Sequence, residues 1–166
     1  IVYSYTIFML RKTINICSFN EILDSDLKDS ILLINIDRGC LMPESLIAEV
    51  YNNNPFVRNK IIKNTNLSKF NYSNKLIPTR HNLSNFLNDA INKVHDMYYV
   101  SNKEYNEEEA KKSLLEYNLP LRKIININSL TDHENKKIIY IDSQIDESYL
   151  GNTIKKLKIY KLNLFN

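Results

Sequence analysis

The residues best placed to do chemistry are carboxylates that close apolar runs. Asp37 follows Ile31-Leu-Leu-Ile-Asn-Ile, and Asp142 follows Ile138-Ile-Tyr-Ile. Both fall where a strand buried on its two faces would stop, as in a parallel sheet. Ligands of such sheets bind outside the carboxyl ends of the strands. A carboxylate there can attack as a nucleophile, move a proton, or offer Mg²⁺ a hard anionic oxygen. Ser101 closes a third run, Met97-Tyr-Tyr-Val. Residues 35–40, 101 and 142–146 are therefore the candidate site. Plainer roles compete: Asp37 and Asp142 can cap turns, and Ser101-Asn-Lys-Glu104 fits a capping box that opens a helix.

Other reactive types are scattered. No phosphate loop ending in arginine follows Cys40, so a buried structural thiol is the expected reading. His81, His95 and His133 make no metal-ligand pair. Lys155-Lys156-Leu-Lys158 is a small basic cluster. Its default reading is a solvated face, and contact with RNA or anionic lipid is the alternative.

The elements that must hold these residues follow from periodicity. Residues 3–10 read as an N-terminal strand and 19–29 as a loop or short helix. Residues 31–37 read as a buried strand, with a helix at 44–51, a strand at 56–62 and a loop at 63–74 behind it. The clearest helix carries Leu83, Phe86, Leu87, Ala90, Ile91 and Val94 on one stripe, with Asn82 as its cap. A strand at 97–100 and a second helix to about Tyr117 follow, the latter with Ala110, Leu114 and Tyr117 on one face. Residues 122–128, 137–142 and 157–162 read as strands. The alternation predicts an α/β fold with a mostly parallel sheet. Residues 1–30 are expected to form a strand and extension, and 31–166 the main domain.

Composition sets the outer limits. The 166 residues suit one domain, and 43% apolar with 25% charged residues is globular. Two cysteines exclude a disulfide scaffold and a four-cysteine zinc site. A formal charge of +3 does not compel a nucleic-acid partner. No apolar run reaches the roughly 18 residues that span a bilayer, so no transmembrane segment is expected. The first residue is Ile1 rather than Met, and removal of a leader such as an organelle presequence is one reading.

The order of these segments carries a resemblance. The series is Asn35-Ile-Asp37-Arg-Gly39, then Pro78-Thr-Arg80-His-Asn-Leu83-Ser-Asn-Phe86-Leu87, then Met97-Tyr-Tyr-Val-Ser101 with Tyr105, then Ile138-Ile-Tyr-Ile-Asp142-Ser with Glu147-Ser-Tyr149. It resembles the haloacid-dehalogenase-like (HAD) group over residues 31–162. The nearest branch holds the phosphatases of the RNA polymerase II carboxy-terminal domain and the presequence receptor of the mitochondrial inner-membrane translocase. That branch has a strand ending Asp-x-Asp-x-Thr, an Arg-Pro-Gly before a helix with Phe-Leu, a strand ending in Thr or Ser, and a strand ending in Asp.

The resemblance implies a HAD-like (Rossmannoid) sheet flanked by helices in a single domain. It also implies roles: the first Asp attacks phosphorus, the second is acid and base, a Ser or Thr and a Lys hold the phosphoryl group, and a later Asp helps hold Mg²⁺. In the gapless register the nucleophile falls on Asn35, the acid/base on Asp37 and the Thr on Gly39. The Lys position falls near Asn126, with Lys123 out of register. Ser101, Asp142 and Arg80 persist. A neutral amide is no comparable nucleophile and gives Mg²⁺ no charge, so Asn35, Asp37, Ser101 and Asp142 are expected to be degenerate positions. The expectation is a pseudoenzyme with no cofactor and no metal, acting as a protein-binding or structural subunit of a multi-subunit complex. The setting it suggests is mitochondrial: an import translocase, a respiratory complex or a mitoribosome. A divergent Mg²⁺-dependent phosphatase and an RNA-binding subunit that uses Lys155, Lys156 and Lys158 are the alternatives.

Overall fold

Four runs of β-branched and aromatic residues, each too short for a helix, build the centre of a sheet. The computed structural model describes residues 11–46, 54, 75–101, 107–126, 136–143 and 156–164. In chain order its strands are β1 (Arg11–Ile16), β2 (Ile31–Asn35), β3 (Leu41–Pro43), β4 (Leu76–Pro78), β5 (Asp96–Ser101), β6 (Ile124–Asn126), β7 (Ile138–Asp142) and β8 (Leu157–Leu162). The helices are α1 (Asp24–Leu27), α2 (Leu83–Ala90) and α3 (Glu107–Glu116), with a single 3-10 turn at Phe19–Glu21. Six strands form one parallel sheet in the order β1-β8-β7-β2-β5-β6, while β3 and β4 pair antiparallel. The α/β class and the mostly parallel sheet are as the patterning predicts.

Period-two alternation divides β2 between two cores. Leu32 and Ile34 face one side with Met97, Tyr99, Ile139 and Ile141, and Ile31 and Leu33 face the other with Val100, Ile138 and Tyr140. Leu27 of α1, Leu83, Leu87 and Ala90 of α2, and Ala110 and Leu114 of α3 all join the first core. Right-handed crossovers explain this. The steps β1 to β2, β2 to β5 and β5 to β6 all travel the same way across the sheet, so their helices fall on one face.

Several expectations change in detail. β1 and the β3–β4 pair were not expected as strands. β1 exposes Lys12, Thr13 and Asn15 as an edge strand does, and β3 and β4 each end in a proline. Asn82 does not cap α2 with its side chain. It donates instead to Ser18 Oγ and Asn20 Oδ1. A capping box does form, at Ser18 with Glu21. The readings at 3–10, 56–62 and 63–74, and most of the one at 44–51, lie outside the described residues, as does the helix opening after Ser101.

At the amino ends of β7 and β8, Asp26 of α1 receives Lys158 Nζ and the Tyr160 hydroxyl, with Lys137 Nζ at 3.2 Å. Lys158 and Tyr160 are two apart, so one face of β8 presents both. Burial alone would raise the Asp26 pKa, but the lysine and tyrosine hydrogen bonds and the Lys158 charge outweigh it and hold the carboxyl below its ordinary value. Its stabilising contribution is therefore complete at neutral pH and disappears as pH falls below about 4. Asp26→Asn is expected to cost about 2 kcal/mol at neutral pH in urea unfolding, and the gap to wild type should close in acid.

Candidate functional site

Strand order reverses at β2: the chain steps to β5 and β6 on one side, then returns to β7 and β8 on the other. In open α/β sheets the ligand crevice lies at that reversal, outside the carboxyl ends. Asn35 ends β2 and Asp142 ends β7, so adjacent strands bring them together across 107 positions of sequence. Asn35 Nδ2 donates to Asp142 Oδ2 at 3.0 Å and makes a longer contact, 3.4 Å, with the Tyr140 hydroxyl. Asn35 Oδ1 accepts the Asp37 N–H at 2.9 Å. The two bonds together set which way the amide faces. Asp142 Oδ2 also accepts the Tyr140 hydroxyl at 2.6 Å, and Oδ1 accepts the Ser143 N–H at 2.7 Å.

The turn after β2 is tight. Leu41 N–H returns to the Ile36 carbonyl and Arg38 N–H to the Leu41 carbonyl. Arg38 adopts a left-handed backbone (φ 66°), and its side chain is only 2% exposed. Burial lowers the guanidinium pKa, while the charges of Asp37 and Asp142 oppose that shift. The crevice thus holds a cation of its own. Among the described residues, Arg38 Nε and Ser143 Oγ are buried and find no hydrogen-bond partner.

Gly39 packs against the end of β2. A Cβ there would sit 2.4 Å from the Asn35 carbonyl oxygen and 3.2 Å from that of Ile141, both backbone atoms. Thr79 clamps the turn, donating its N–H to the Cys40 carbonyl and its hydroxyl to the Gly39 carbonyl. Gly39→Ala is expected to destabilise the fold by about 1–3 kcal/mol, measured as a lowered urea midpoint with an unchanged slope.

Of the remaining candidates, Ser101 stays beside the crevice and the others disperse. Ser101 ends β5 one position beyond Val100, the partner of Asn35, and is paired in register with Asn126. Lys123 precedes β6 and is exposed. Arg80 donates to the carbonyls of Cys17, Thr79, Asn163 and Leu164, tying together the carboxyl ends of β1 and β8. Cys40 is fully buried, and burial, then the Asp37 charge, pushes its thiol up so that it stays protonated. The Tyr140 hydroxyl is raised by burial and by Asp142, and so remains a neutral donor. Lys156 is exposed, Lys158 is turned onto Asp26, and Lys155 lies outside the described residues, as do 144–150. Sequence reasoning missed Tyr140 and Arg38. Tyr140 lies two before Asp142 on one strand and hence on one face; Arg38 carries no comparable signal, because arginine is rarely buried.

A divalent cation, which the HAD resemblance implies, does not fit this set. The Asn35 N–H points at the Asp142 oxygen that a metal would need, and Arg38 already supplies positive charge. Among the described residues, no three His, Cys, Asp or Glu side chains gather. No helix described is long and apolar enough to cross a membrane. No family model, curated protein or solved structure matches the chain.

Proposed function

We propose that this chain is a HAD-like domain without catalysis, a protein-binding or structural subunit of a larger assembly. The observation that carries the reading is the 3.0 Å bond from Asn35 Nδ2 to Asp142 Oδ2. An amide stands where phosphoryl transfer in this group needs an attacking carboxylate, and its donor occupies the neighbouring acid. Gly39 brings no hydroxyl, and its lack of a Cβ is what lets the turn close on β2. The return of the chain at β2 supports the HAD-like assignment, because it sets the end of β2 between those of β7 and β5, the three strands that carry the motif series. A mitochondrial setting rests on the likeness to the translocase presequence receptor.

The test is incubation of the purified chain with Mg²⁺ and an aryl phosphate. No turnover above buffer is expected. Turnover abolished by Asp37→Asn would establish the phosphatase instead. Purification at native abundance should recover the chain within a stable assembly, and migration as a free small monomer would remove the subunit role.

A further inference from the structure

The second constellation lies at the β6 edge of the sheet, where α3 and the segment leading into β6 enclose a groove of about 260 Å³. Its floor is Leu114 and Ile124, with the half-exposed Leu121 at its side. Lys111, Arg122 and Lys123 line it and are all exposed. Among the described residues none of these three cations has an ion-pair partner, although Lys75, Lys93, Lys137 and Lys158 do. Among the described side chains of α3, the acids Glu108 and Glu116 do not line the groove. Arg122 is felt electrostatically by Asp96 and Tyr98 at the start of β5 without pairing to either.

β6 adds a second feature. Among the described residues it ends the sheet. Tyr99 N–H donates to the Lys123 carbonyl, so by alternation the backbone groups of Ile124 face away from β5. An edge of this kind accepts an added extended segment.

We propose that this groove binds an extended acidic segment of a partner protein, with one apolar side chain seated against Leu114 and Leu121 and carboxylates facing Lys111, Arg122 and Lys123. Charge selects the sign of the ligand: three exposed cations, without an ion-pair partner among the described residues, line an apolar floor. The strand edge, unpaired among the described residues, favours a peptide over a small anion. A nucleic acid fits less well, because among the described residues no aromatic ring lines the groove to stack on a base. The proposal gives the binding role a surface and rests on that reading, yet the aryl-phosphate assay and the peptide experiment fail separately.

The experiment is selection of a phage-displayed random peptide library against the purified full chain. Fluorescence anisotropy then follows a labelled copy of the enriched peptide and a labelled single-stranded RNA. Enriched peptides are expected to carry Asp or Glu on both sides of an apolar residue. Their affinity should fall by about tenfold or more in the Lys111→Glu/Arg122→Glu/Lys123→Glu variant, and should drop with added salt. Leu121→Gln is a second test, because a half-exposed position tolerates the change; it should weaken binding about fivefold. Lys28→Glu, at an exposed cation outside the groove, should leave binding unchanged. Enrichment without acidic residues, binding that survives charge reversal and Leu121→Gln, or RNA binding lost on reversal while acidic peptides do not bind would each overturn the proposal.

Discussion

Asn35→Asp is expected to destabilise the protein by about 3 kcal/mol at neutral pH. The present amide gives Asp142 a proton at 3.0 Å and accepts one from the Asp37 backbone. A carboxylate keeps the second bond but sets two anionic oxygens against each other in a buried crevice. Two acids so placed share one proton, and the affinity of the pair for that proton rises well above the ordinary carboxylate range. The folded variant then binds more protons than the unfolded chain. Its deficit should be largest at neutral and higher pH and should shrink as pH falls toward about 4. Urea unfolding across this range measures it. Mg²⁺ is expected to recover less than acid does, because the Arg38 guanidinium already supplies positive charge there. Full recovery by Mg²⁺ would mean that Arg38 does not keep a divalent cation out once the amide is an acid, and a variant as stable as wild type would mean that the amide's bond to Asp142 contributes nothing to the fold.

Arg38→Met should cost a similar amount, about 3 kcal/mol. The side chain is among the largest fully buried ones, and the charges of Asp37 and Asp142 act on it. Methionine fills much of the volume and leaves two buried carboxylates without their cation. Arg38→Lys keeps the charge and should lose less. Arg38→Gly relieves a left-handed backbone worth about 1 kcal/mol but empties the buried volume that methionine fills, so it should be the more harmful of the two neutral changes. Lowering the pH should rescue Arg38→Met, because protonating one carboxylate ends the repulsion. Equal stability of Arg38→Met and wild type at neutral pH would show that the guanidinium is not the counter-charge of the cluster.

The Asp26 cluster shows how far a linear reading reaches. Lys158 belongs by sequence to a basic run and was expected on a solvated face. Its place on β8, two before Tyr160, turns it toward Asp26, a residue 132 positions earlier. The contact requires α1 to sit under the amino ends of β7 and β8, and strand order is not written in any local pattern.

The amino-acid sequence by itself determined the strands buried on both faces, the apolar stripe of α2 and the strand-end positions of Ser101 and Asp142. Each of these is a matter of period and length, and hydrophobic burial enforces both locally. It ran the first of these strands on to Asp37, whereas β2 stops at Asn35 and Asp37 enters the turn. The polar edge strand β1 and the proline-ended β3 and β4 escaped, since their pairing depends on neighbours rather than on their own composition. Only the tertiary structure decided that β7 lies beside β2, that the Asn35 amide donates to Asp142, and that Arg38 is buried between charges. Those outcomes depend on which strand ends meet, and that is set by the packing of the whole sheet.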